Sequence, residues 1–112
     1  MNNYNSKYTY KLTHDAAVKM IQEYYESFSD VTILSIEPLQ DIFVLSKMVL
    51  YHGQELILKS YISSNSMAYY LKQALNYFGY ETSFVKVENK DDNIIYKAEI
   101  TLVDTVTRKR EK

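Results

Sequence analysis

No cysteine occurs anywhere in the chain, which removes at one stroke the disulfide staple of small secreted domains, thiolate metal ligands and a cysteine nucleophile. The expected setting is therefore reducing and cytoplasmic. Tryptophan is missing too, and proline occurs once. Gly53 and Gly79 are the only two glycines, so neither a P-loop nor a dinucleotide fingerprint can be assembled, since both bring backbone amides onto phosphate at several glycine positions. The longest apolar stretch, Ile42 to Tyr51, is interrupted by Lys47 and falls far short of the ~20 residues of a membrane-crossing helix, so no membrane association is expected. Residues Met1 to Lys7 are polar with no apolar segment behind them, which reads as neither a signal nor a transit peptide. Thirteen basic against fourteen acidic residues leave a formal charge of −1, so no global field draws the chain toward phosphate backbones or anionic lipid.

What is present suits one folded unit. A chain of 112 residues, 46% hydrophobic and 24% charged, can bury one core and would leave two marginal, so residues 1–112 are expected to form a single domain, with frayed termini at 1–6 and 105–112. Twelve tyrosines, in company with many Asn, Lys and Ile, are the profile that AT-rich coding produces, and the expected source is a phage or mobile element of a low-GC bacterium.

Tyr8, Tyr10 and Leu12 alternate with Thr9 and Lys11 as in a short leading strand. Thr13 is a good N-cap, Asp15 complements the helix dipole, and Ala17, Met20, Ile21, Tyr24 and Phe28 form one apolar stripe, which predicts a helix over 14–28. Val31 to Glu37 reads as a strand ended or held at an edge by Pro38. Ile42 to Tyr51 and Glu55 to Ile62 flank His52-Gly53-Gln54, the pattern of a long hairpin. Its first arm is apolar on both faces over Ile42 to Leu45, which places it centrally with something covering each side, a partner chain on the second, so that the two-sided hairpin Ile42 to Ile62 belongs to the expected contact surface. Met67, Leu71, Ala74, Leu75 and Phe78 before Gly79 predict a helix over 66–78. Glu81 to Glu88 and Ile94 to Val103 bracket a polar turn cluster. The expected fold is α+β, a mostly antiparallel sheet of about five strands with two helices on one face, order (β)αβββαββ. Ile21 with Leu71, Phe28 with Phe78, and Thr32 with Thr82 stand 50 apart, a weak internal repeat. A helix, three strands and a helix is also the order of double-stranded RNA-binding domains, but those open the second helix on a lysine cluster where this chain has Ser63-Ser64-Asn65-Ser66-Met67.

No acid, base and nucleophile set can be named, so no enzymatic activity is expected. His14 and His52 lack a second ligand at metal-binding spacing and read as polar surface residues. Asp91 and Asp92 sit in a turn without the bidentate glutamate or loop glycine of a calcium site, and neither metal nor cofactor is expected. Tyr25, Tyr69, Tyr70, Tyr77 and Tyr80 exceed what one apolar stripe per helix accounts for and are the candidate partner-binding residues, because tyrosine buries much area at little rotamer entropy. The expected function is a non-enzymatic regulator, inhibitor or adaptor working through protein–protein contacts, including homodimerisation. The alternative is a nucleic-acid-binding protein that sets Arg108, Lys109 and Arg110 on phosphates and tyrosines on unstacked bases.

Overall fold

The computed structural model describes residues 5–28, 30–90 and 93–103. In chain order the elements are β1 (Asn5–Thr13), α1 (His14–Glu26), β2 (Val31–Leu39), β3 (Ile42–Tyr51), β4 (Gln54–Ser63), α2 (Ser64–Tyr77), β5 (Glu81–Lys90) and β6 (Asn93–Val103). Both helices begin on the residue after a strand ends. An N-cap needs an extended backbone, so the last strand residue doubles as the cap: Thr13 Oγ1 accepts from Ala16 N–H at 3.2 Å and Ser63 Oγ from Ser66 N–H at 3.1 Å. That is why α2 starts at Ser64 rather than Ser66. At its other end Gly79, at φ +96°, takes the left-handed turn, and the Tyr80 and Gly79 N–H groups donate back to the Leu75 and Asn76 carbonyls. In α1 the regular turns stop at Glu26, and Phe28 closes with a shorter bond to Tyr25 O at 2.9 Å.

The strands correct the expectation of one sheet of about five. Among the described residues there are six, in two antiparallel three-stranded sheets ordered β1-β6-β5 and β2-β3-β4. The leading strand is a full nine residues, and it pairs with β6, Asn5 against Val103 through Thr13 against Ile95, rather than with the neighbouring β2. Two βαββ units result, β1-α1-β2-β3 and β4-α2-β5-β6, in which the N-caps Thr13 and Ser63 stand 50 residues apart. Each unit lends its first strand to the other's hairpin.

Core side chains come from every layer. Ala17 and Ile21 of α1 and Met67, Leu71, Ala74 and Leu75 of α2 pack on Ile33, Ile36, Phe43 and Leu45 of one sheet and on Tyr96, Ala98 and Ile100 of the other. The thinnest dimension, 17 Å between Cα extremes, holds a sheet and a single layer of helices, so the far face of each sheet is uncovered. As expected, β3 is the central strand of its sheet; helices lie over Phe43 and Leu45, but no described element covers the half-buried Ile42 and Val44 on the other side. Of the termini expected to fray, residues 1–4 and 105–112 lie outside the described residues, as do Asp91 and Asp92 of the polar turn.

Candidate interaction surfaces

Two three-stranded sheets present four edges, and the chain treats them differently. Along β2, α1 supplies the missing partners: Gln22 Nε2 donates to the Ile33 carbonyl at 3.3 Å and His14 Nε2 to the Ile36 carbonyl at 2.7 Å, while Pro38 removes a donor. A bulge between Ile33 and Ser35 bends that strand further from flatness. On β5, α2 meets the edge at one residue, with Asn76 Oδ1 accepting from Thr82 N–H at 2.9 Å beside a bulge between Thr82 and Phe84. β1 carries the exposed Lys7 and Lys11. β4 has charges at Glu55 and Lys59 but neither proline nor bulge nor, among the described residues, a helix side chain on its edge: it pairs with β3 without a break from Gln54 to Ser63 and reads Leu56-Ile57-Leu58 in its middle.

The turn fixes which β4 groups point outward. His52 at φ +51° and Gly53 at φ +78° form the two-residue, doubly left-handed turn whose flanking residues, Tyr51 and Gln54, make a hydrogen-bonded pair. Counting along the antiparallel ladder, the N–H and C=O groups of Glu55, Ile57, Lys59 and Tyr61 face away from β3. Leu50 N–H, the β3 counterpart, points the other way, to Asp30 O at 3.0 Å.

The uncovered faces of the two sheets differ as sharply as their edges. On β1-β6-β5 the cross-strand register sets out Lys7, Lys11, Lys97 and Lys86 with Glu81, Glu88 and Glu99, broken by Phe84 and Ile95. Glu88 bonds Lys97 at 3.2 Å and Lys86 at 3.7 Å, and the Lys97 hydrogen bond holds its carboxyl below the usual range. On β2-β3-β4 the same register pairs Leu39 with Ile42, Val44 with Tyr61 and Met48 with Ile57, with Leu50 next along β3, and sets Glu37, Ser46, Lys59 and Glu55 between them. Ile57 is 66% and Tyr61 70% exposed, so this apolar face meets water. Beyond the helices the β3-β4 hairpin exposes its other face too, at Tyr51, Leu56 and Leu58.

Four of the five candidate tyrosines come together. Tyr25 of α1 meets Tyr70 of α2 edge-on with centroids 6.4 Å apart, Tyr69 lies 6.4 Å from Tyr70, and Tyr77 meets Tyr24 at 5.2 Å. Burial, then the neighbouring Tyr70, Tyr24 and Tyr69, push the Tyr25 hydroxyl above its ordinary range. Tyr25 and Tyr70 also line a cleft of about 90 Å³ with Lys47 and Ser60, too small for more than a few waters. Tyr69 and Tyr77 are more than half exposed, whereas Tyr80 stands apart, 6.5 Å from Tyr10. Arg108, Lys109 and Arg110 lie outside the described residues.

His14 is not a surface histidine. Its ring stacks on Phe43 and Tyr96 at centroid distances of 5.5 and 5.8 Å, and its Nδ1 lies 2.8 Å from the Tyr96 hydroxyl. A carbonyl only accepts, so the proton sits on Nε2, facing Ile36 O, and Nδ1 takes the Tyr96 proton when the ring is neutral. The clamp joins α1 to both sheets. Tyr96 is fully buried, and burial pushes its hydroxyl far above the ordinary range. Two wider clefts, about 230 and 300 Å³, open between the β2-β3 and β5-β6 turns around Pro38 and Ile94. Among the described residues no three His, Asp or Glu side chains are grouped to hold a metal, and no helix is long and apolar enough to cross a membrane. No protein-family model, curated protein or solved structure matches the chain.

Proposed function

We propose that this chain is a non-enzymatic binding protein, a regulator, inhibitor or adaptor, that docks a protein partner on the uncovered face of β2-β3-β4. The contrast between the two sheets supports this reading. They have the same strand order and the same helical backing, yet lysines and glutamates run across one outer face, whereas on the other Glu37, Glu55 and Lys59 are interspersed among Leu39, Ile42, Val44, Met48, Ile57 and Tyr61. Composition alone would not make two such equivalent faces so unlike. A contiguous exposed apolar patch costs solubility and is kept where something covers it. Tyr61, apolar in its ring and polar at its tip, is the kind of side chain that anchors such contacts.

The test is capture from cells of the source on immobilised protein, with nuclease treatment in parallel. Wild type is compared with a Leu39→Ser, Val44→Thr, Tyr61→Ser variant and with a Tyr69→Ala, Tyr70→Ala, Tyr77→Ala variant. A protein retained by wild type and by the helix variant and lost by the sheet variant supports the reading. Capture that survives in the sheet variant, or that nuclease abolishes, overturns it.

A further inference from the structure

We infer that β4 pairs antiparallel with β4 of a second copy of this chain, about a two-fold axis through Ile57. The outward backbone groups of Glu55, Ile57 and Lys59 are a ready ladder, and the segment from Glu55 to Lys59 reads Glu-Leu-Ile-Leu-Lys. Reversed onto itself about its centre, that segment is self-complementary. Ile57 meets Ile57 as a hydrogen-bonded pair. Each Glu55 stands opposite the other copy's Lys59 on the outer face, and each Leu56 opposite Leu58 on the helix side.

The equivalent strand of the other unit shows the opposite arrangement. β1 also has outward-facing backbone at Lys7, Thr9 and Lys11, and reversing it about Thr9 would set Lys7 against Lys11 twice. Like charges face to face repel, so that pairing is disfavoured. The β2 edge is met by Gln22 and His14, and the β5 edge is met at Thr82 by Asn76 and bent by its bulge. Among the described residues β4 combines an unbroken ladder, an apolar Leu56-Ile57-Leu58 centre and charges that attract a copy of itself. The axis runs perpendicular to the sheet, so both copies keep their helices on one side and their apolar outer faces join into one six-stranded surface. The pairing uses the edge and leaves the face itself uncovered, so it stands independently of the docking reading above.

Sedimentation equilibrium on the full chain tests it. Wild type is expected at twice the 13.2 kDa chain mass at micromolar concentration. Glu55→Lys and Lys59→Glu each convert two attractive cross-strand pairs into repulsive ones and should weaken the dimer about tenfold. Mixing the two variants, or combining both changes in one chain, restores the opposite-charge pairs and the dimer. Ile57→Pro gives a charge-independent reading, because the N–H it removes points away from β3: the far-UV circular dichroism should be kept and the dimer lost. A wild-type monomer, a dimer indifferent to the single charge changes, or a mixture that fails to reassociate overturns the inference.

Discussion

Replacing Tyr96 by phenylalanine removes one hydroxyl from a fully buried ring and leaves His14 Nδ1 without the donor it faces at 2.8 Å. The imidazole cannot simply turn toward water, since its Nε2–H is held by the Ile36 carbonyl and its plane by Phe43 and Tyr96. A polar atom stripped of its partner inside a protein costs about 1–3 kcal/mol, and because His14 is only half-buried the lower part of that range, about 1–2 kcal/mol, applies. For a domain of this size the melting temperature should fall by about 4–8 °C. Urea unfolding followed by circular dichroism is the assay, with an unchanged slope and a lower midpoint assigning the loss to stability. A His14→Phe variant and the double variant complete a cycle whose coupling should exceed about 0.5 kcal/mol. If Tyr96→Phe unfolds within about 0.3 kcal/mol of wild type, or the two changes simply add, the clamp does not hold the sheets together as described.

Stability should also fall at alkaline pH. Folding keeps the Tyr25 and Tyr96 hydroxyls protonated above their ordinary range, so the unfolded chain loses these protons first: the contribution is intact below about pH 10 and declines above it, by up to ~1.4 kcal/mol per pH unit for each group. Urea titrations at rising pH check this, and Tyr96→Phe should flatten the slope. Gln22→Leu strips the β2 edge of a donor to Ile33 and Leu34 carbonyls and should cost about 0.5–1.5 kcal/mol in the same assay, whereas no change would mean water serves that edge equally well.

Elements that depend on neighbouring residues were legible from the chain alone. Thr13 capped its helix, Gly79 ended the other, and His52-Gly53 turned the long hairpin, because caps and turns are set within a few residues. Pairing between distant strands was not, since the alternation at Tyr8, Tyr10 and Leu12 says only that a strand exists. Nothing local distinguishes β6 from β2 as its neighbour, and one sheet became two. His14 was misjudged for the same reason: its partner Tyr96 is 82 positions away, out of reach of any spacing rule. The excess tyrosines did mark a real cluster across the two helices, Tyr25 with Tyr70 among them. The hairpin Ile42 to Ile62 was legible as a two-sided surface, but its run at Leu56-Ile57-Leu58 reads as an ordinary strand until the ladder shows no described strand on its outer edge. The palindromic charges at Glu55 and Lys59 were there to find.

The exchange of first strands between the two units constrains the order in which the molecule can assemble. β2, β3 and β4 join through two tight hairpins within residues 31–63, so that half can zip up locally and fast. The other half waits, because the ladder from Asn5 to Val103 closes a loop holding every other element. A chain severed at Gly53 would leave each fragment with a hairpin that lacks its third strand and a strand that lacks its hairpin, and the two pieces would have to find each other, like the halves of a clasp, before either sheet was whole.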